Sequence, residues 1–169
     1  MGDVSVKDLV RYVEGLRQKG KEGTLLPPLP KGVRIQKFSE VKMVTKPWGF
    51  EMWLAHGAEI PYALKMLYIK EGTKTSLQYH NQKREHNVVF SGTMRLHYKD
   101  EKTGKIVAQT FSEGNVIEVL PPAIHRVEAV TDLFLIEVSS PHLDDVVRVE
   151  DDYQRPDGKI ESEHRQTKL

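Results

Sequence analysis

From Gln36 to Val138 the hydrophobic residues never run far before a turn interrupts them. The apolar or alternating segments are Phe50 to Leu54, Tyr62 to Ile69, Asn87 to Phe90, Thr93 to Tyr98, Ile106 to Phe111, Val116 to Leu120, Arg126 to Val130 and Leu133 to Val138. Each is too short to make a helix that buries a face, and many short strands with regular turn signals pack as a sandwich or close into a barrel. Asp100, Lys102, Thr103 and Gly104, lying between two such segments, mark a hairpin. The body of the chain is therefore expected to be all-β.

The N-terminus reads differently. Val6, Leu9, Val10, Val13 and Leu16 recur at spacings of three and four within Val4 to Gln18, which predicts an amphipathic helix ended by Gly20 and Gly23. Thr24 to Gly32 is too rich in proline for a helix or a central strand and reads as an extended connector. With 169 residues there is room for one domain. The expected division is a helical and proline-rich appendage over 1–40, the β domain over 41–155, and a polar tail over 156–169 that runs over the surface or is disordered beyond Gly158.

The 25 basic and 24 acidic side chains leave a formal charge of +1, which favours neither nucleic acid nor an anionic membrane as partner. A small molecule is the expected ligand. There are no cysteines, so disulfides and thiolate metal sites are excluded. No apolar run approaches the ~20 residues that cross a bilayer, and the charged N-terminus lacks the apolar stretch of a signal peptide. A cytoplasmic location is expected on that basis.

The chemistry is concentrated in Gly72 to Gly92, GTKTSLQYHNQKREHNVVFSG. Gln78 and His80 are two apart and share one side of an extended strand. After the polar turn Asn81 to Arg84 the chain resumes at Glu85, and an antiparallel return brings that carboxylate to the same pocket. His125 lies downstream, after the bend at Pro121 and Pro122. Two imidazoles, a carboxylate and a neutral amide oxygen make a mixed nitrogen and oxygen site for one divalent metal ion, with zinc first and Mn, Fe, Co or Ni as alternatives. Lone histidines at 56, 97, 142 and 164 are read as solvated or structural.

Gly-(x)5-Gln78-x-His80-(x)4-Glu85-(x)6-Gly92 resembles the first cupin motif, with Gln78 in place of its usual first histidine, and Gly114 to His125 resembles the second. The implied fold is a double-stranded β-helix, the cupin or jelly-roll barrel, here with an N-terminal α-helical extension. Lys46-Pro-Trp-Gly-Phe-Glu51, Ser76-Leu-Gln-Tyr-His80, Glu85-His86, Ile136-Glu-Val138 and Asp145-Val-Val-Arg148 through Arg155 are similar to the C-terminal isomerase domain of type II mannose-6-phosphate isomerases, the bifunctional mannose-6-phosphate isomerase/GDP-mannose pyrophosphorylase group. The likeness covers about Lys46 to Arg155. Leu120, Pro122 and Ala129 depart from the second motif, and Lys83 stands where the family has an implicated arginine.

That resemblance implies a metal-dependent aldose/ketose interconversion through an enediol, acting on a sugar phosphate or nucleotide sugar. It carries Lys65 and Glu137 over as catalytic residues, and Lys74, Lys83 and Arg126 as substrate-binding residues. Lys74 has the strand parity of Gln78 and His80, so it is expected to face inward; Arg126 is expected to face away from His125. Two other classes stay open. His80, Glu85 and His125 alone form the ligand set of a non-haem iron oxygenase, and the substitutions around Lys83 also suit a non-catalytic sugar-binding module. The N-terminal helix and connector could cover a barrel edge in cis or in a partner subunit, so a homodimer is expected.

Overall fold

The computed structural model describes residues 6–19 and 29–165. Its eleven strands are β1 (Lys42–Lys46), β2 (Gly49–Ala55), β3 (Ala63–Ile69), β4 (Leu77–Tyr79), β5 (Glu85–Ser91), β6 (Thr93–Lys99), β7 (Ile106–Ser112), β8 (Val116–Val119), β9 (His125–Ala129), β10 (Leu133–Ser139) and β11 (Val147–Glu150). They form a six-stranded sheet in the order β1-β2-β3-β10-β5-β8 and a five-stranded sheet in the order β11-β4-β9-β6-β7. Every strand pair is antiparallel. The two inner faces meet on a core that includes Trp48, Leu67, Ile69, Val89, Met94, Val127, Leu133 and Leu135.

Alternation sets the strands. In β3 the residues Ala63, Lys65, Leu67 and Ile69 are buried and those between are half-exposed; β5 buries Glu85, Asn87, Val89 and Ser91 in the same way. Side chains two apart share a face, so a polar residue in the buried series faces inward. Two glycines permit close turns. Gly49 (φ +149°) leaves no room for a Cβ, which would lie 2.0 Å from the Tyr68 carbonyl oxygen, and Gly92 (φ +96°) would place one 2.2 Å from that of Asp132. The hairpin expected at Asp100–Gly104 joins β6 to β7, with Gly104 N donating to Asp100 O at 2.8 Å.

The helix α1 (Val6–Lys19) packs Val6 and Val13, with Leu9 and Val10 at their sides, on the outer face of the larger sheet against Met52, Phe134, Phe50 and Met66. The glycines at 20 and 23, and residues 24–28 of the connector, lie outside the described residues; residues 29–37 run without helix or strand up to a 3-10 turn at Phe38–Glu40. No helix among the described residues is long and apolar enough to cross a membrane.

The segment over residues 156–165 runs over the surface, as one of the two expectations had it, and its end docks on the barrel. A short helix, α2 (Glu161–His164), lies against β1. Lys46 Nζ is 2.8 Å from Glu163, and the His164 ring stands edge-on to Trp53 at 5.0 Å. Glu163 is held by Lys46 and Arg155, while Asp157, Lys159, Glu161, Ser162 and Arg165 are exposed.

Candidate metal centre

His80 follows directly on β4, Glu85 opens β5 and His125 opens β9, so three strand ends converge inside one mouth of the barrel. Asp145 fixes the turn between the first two. Its carboxylate accepts the backbone N–H groups of Asn81 (3.1 Å), Gln82 (2.6 Å) and Lys83 (3.0 Å). Partial burial opposes ionisation of Asp145, but those donors outweigh it and hold its pKa down to about 2. Its backbone carbonyl accepts from His80 Nδ1, and the carbonyl of Ala123 accepts from His125 Nδ1 at 3.0 Å. A carbonyl only accepts, so in each neutral imidazole Nδ1 carries the proton and Nε2 presents a lone pair.

Those lone pairs face one carboxylate. His80 Nε2 lies 3.3 Å from Glu85 Oε1, and His125 Nε2 lies 3.5 Å from Glu85 Oε2. All three side chains are buried, and His80 Nε2 has no hydrogen-bond partner. A cation sharing the three is the arrangement that turns their mutual repulsion into attraction. Metal bonds of about 2.0–2.2 Å place neighbouring donors roughly 3–3.5 Å apart, and the ligand atoms here lie within 4.8 Å of one another. The residues present therefore fit a divalent metal. Gln78 pairs with His125 across the sheet and lines the same cavity; its Oε1 accepts the Ser76 hydroxyl at 2.6 Å, which leaves that oxygen a second lone pair.

Beside the triad runs a ladder of buried charges. Lys83 Nζ pairs with Glu85 and lies 3.3 Å from Glu137; Lys65 Nζ lies 3.1 Å from Glu137 and 3.9 Å from Glu51. Glu51 accepts from Trp53 Nε1 at 2.7 Å and has Lys46 at 3.7 Å. Burial alone would raise the Glu51 carboxyl, yet Lys65, then Lys46 and the Trp53 bond, bring it down to about 2. Burial likewise opposes the charges of Glu85 and Lys83, but each secures the other: Lys83 and the imidazoles hold Glu85 well below the carboxylate range, while Glu137 and Glu85 raise Lys83. Glu137 Oε1 has no hydrogen-bond geometry to either lysine despite its ion-pair distances.

Gln78, His80, Glu85, His125, Lys65, Lys83 and Glu137 are thus brought together. Lys74 and Arg126 are not. Lys74 bridges Glu128 and Gln78 pairs with His125, so four steps along one strand span three along the other. This one-residue bulge reverses the parity expected from regular alternation. Lys74 instead pairs with Asp152 at 3.1 Å, and Arg126 with Glu150 (2.9 Å) and Asp152 (3.3 Å), on the face away from His125. Glu51, Asn87, Arg148 and Arg155 line the cavity without having been given a site role from the sequence, and so does His164, one of the histidines set aside. Glu51, Arg148 and Arg155 stand in the stretches that resemble the family, where no local pattern marks them as facing the cavity.

The mannose-6-phosphate isomerase C-terminal family model matches residues 35–151. The chain belongs to that family. Mannose-1-phosphate guanylyltransferase RfbM of Salmonella typhimurium is 31% identical over 119 residues, 68% of this chain and 23% of that protein. Xanthan biosynthesis protein XanB of Xanthomonas campestris pv. campestris is 32% identical over 119 residues, 68% of this chain and 24% of that protein. The chain thus spans about a quarter of the length of the curated relatives it matches. A double-stranded β-helix protein of Klebsiella pneumoniae superposes with a TM-score of 0.57 at 12% identity, over 75% of this chain and 99% of that one. This member of the mannose-6-phosphate isomerase C-terminal family therefore has the cupin barrel expected from its first motif.

Proposed function

We propose that this chain is a metal-dependent isomerase in sugar metabolism, which interconverts the aldose and ketose forms of a phosphorylated sugar through an enediol. The observation that carries the reading is the juxtaposition of two centres: the inward Nε2 atoms of His80 and His125 with Glu85, and directly beside them Glu137 between two ammonium groups. The family, and relatives that bear the names of a mannose-1-phosphate guanylyltransferase and a xanthan biosynthesis protein, supply the substrate class.

His80, Glu85 and His125, with Gln78 Oε1 as a fourth donor, would hold the ion. Bound there, a divalent ion supplies Lewis-acid polarisation of the carbonyl and neighbouring hydroxyl. Glu137 accepts the proton from C2 of the aldose and returns it to C1; its unbonded Oε1 is the acceptor. Lys65 hands the oxygen-borne proton from the C2 hydroxyl to the C1 oxygen, so the isomerisation balances with no external reductant. The Lys83 ammonium, fixed between Glu85 and Glu137, stabilises the negative charge that develops on the enediol oxygens.

The test is metal content of protein purified without chelator, beside His80→Ala, Glu85→Ala, His125→Ala and Gln78→Ala, followed by deuterium incorporation from D₂O into a panel of sugar phosphates. Near-stoichiometric metal is expected in the wild type, lost in the first three variants and reduced in the fourth, with exchange at C1 or C2. Metal without exchange removes the isomerase reading. Ferrous-dependent oxygen uptake would then place the same two histidines and carboxylate among the oxygenases.

A further inference from the structure

Six cationic side chains line the cavity: Lys46, Lys65, Lys83, Arg148, Arg155 and Lys159. Five of them face a carboxylate. The lysines at 46, 65 and 83 share Glu51, Glu137, Glu85 and Glu163; Arg155 pairs with Asp151 at 2.8 Å and Glu163 at 3.3 Å; Lys159 lies 2.8 Å from Glu161. These charges are already balanced before any ligand arrives.

Arg148 is the exception. Its Nη1 donates to the backbone carbonyl oxygens of Pro156 and of Gly158 (2.9 Å), and it pairs with no carboxylate among the described residues. Nε is buried without a partner, and Nη2 finds no acceptor among the described residues. Two carbonyl dipoles hold this guanidinium in place without neutralising it. Burial, then the neighbouring charge of Arg155, lowers its pKa, and the carboxylates of Asp151, Glu163 and Asp157, none of them in ion-pair contact with the guanidinium, offset this only in part. The Nε and Nη2 edge of a guanidinium is the fork that grips two oxygens of one phosphate. An unpaired buried donor costs about 1–3 kcal/mol, which a ligand oxygen removes.

The position of Arg148 relative to the metal centre follows from the ladder. Arg148 of β11 is paired with Gln78 of β4, and Gln78 with His125 of β9, so the three stand in one row on the inner face of the smaller sheet. Neighbouring strands are about 4.8 Å apart, so the backbones at 148 and 125 are separated by roughly 10 Å. That separation is of the order of the span of a hexose from its carbonyl carbon to its terminal oxygen.

We propose that Arg148 is the anion seat of this cavity and takes the terminal phosphate of a hexose phosphate whose carbonyl end lies at His80, Glu85 and His125. The placement of the carbonyl end rests on the isomerase reading above; the anion seat does not. It gives Arg148 the role that the sequence had assigned to Lys74 and Arg126.

The experiment uses the full chain loaded with metal. Inorganic phosphate is titrated while the arginine Nε–H resonances are followed by nitrogen-edited NMR; Arg148 is expected to shift, and Arg126, the other guanidinium with a buried unpaired Nε, to stay in place. Fructose 6-phosphate is expected to bind the wild type at least tenfold more tightly than fructose. Arg148→Gln should abolish that preference, Arg148→Lys should keep part of it, and Arg95→Gln on the outer face of the sheet should keep all of it. A silent Arg148 resonance in the wild type overturns the proposal whether or not the variants fold, and so does an undiminished phosphate preference in Arg148→Gln. Arg148-dependent preference without deuterium exchange would leave the anion seat standing and remove the isomerase reading. Exchange with an unchanged KM in Arg148→Gln would do the reverse.

Discussion

The inner face of the barrel has two ends that obey the same alternation and differ in everything else. In β3 the buried series runs from Lys65 to Leu67 and Ile69, and in β10 from Leu133 and Leu135 to Glu137. Cross-strand register places like with like: Leu135 stands opposite Leu67 and Val89, and Glu137 opposite Lys65 and Asn87. One step along a strand therefore separates a packed hydrocarbon core from a dry ladder of charges. The apolar end stabilises by removing surface from water. At the ionic end desolvation opposes every charge, and the ladder of Glu51, Lys65, Lys83, Glu85 and Glu137 survives there because each of these has a partner.

The largest effect should come from removing one partner at the ionic end. Lys65→Met leaves the Glu137 and Glu51 carboxylates short of a cation in a buried site, and a loss of about 3–5 kcal/mol is expected in urea unfolding at pH 7. The double variant Lys65→Met/Glu137→Leu should recover most of that loss, because two uncharged side chains need no partner, while losing isotope exchange altogether. A Lys65→Met protein as stable as the wild type would mean that this end is wet and that the contrast between the two ends is wrong.

A smaller loss is expected at the other end. Leu135→Ala removes a fully buried side chain between Leu67 and Val89, at about 2–4 kcal/mol after partial collapse of the cavity. Because its row is distinct from the charged one, metal content should remain stoichiometric. Loss of the metal together with only this modest loss of stability would show that the two ends are mechanically coupled rather than merely adjacent.

How much of this was legible in the sequence follows the same division. The apolar runs marked most of the strands because alternation is a local signal. β1 and β11 were missed because Lys42-Met-Val-Thr-Lys46 and Val147-Arg-Val-Glu150 carry at least as many polar residues as apolar ones, and their pairing partners supply what the pattern lacks. The triad was legible because two of its members flank a single turn and the third follows a proline bend. Lys74 was misplaced because a bulge is a property of two strands, invisible in one. Glu51 and Arg148 lay in family-like stretches without a site role, and His164 was set aside as solvated or structural, because nothing local shows what faces a polar side chain once the strands pair.

The smallest of these effects concerns the segment that narrows the mouth over the ionic end. His164 lies 3.2 Å from Lys42 Nζ through Nδ1 and packs on Trp53; burial, then the charges of Lys46 and Lys42, lower its pKa from 6.5 to about 4. Its folded-state pKa is depressed, so the folded state binds fewer protons than the unfolded one, and the docking of α2 it supports is fully present above pH 6.5 and lost as pH falls towards 4. Solvent around this half-exposed site limits the contribution to a few tenths up to about 1 kcal/mol. Hydrogen exchange over residues 158–165 should therefore accelerate between pH 6.5 and 4, after correction for the intrinsic rate, and the acceleration should be absent in His164→Gln. If the variant keeps it, the acid sensitivity does not come from the His164 ring, and the docking of α2 rests instead on the ion pairs that Glu163 makes with Lys46 and Arg155, so that the mouth and the ionic end are held by one continuous set of charges.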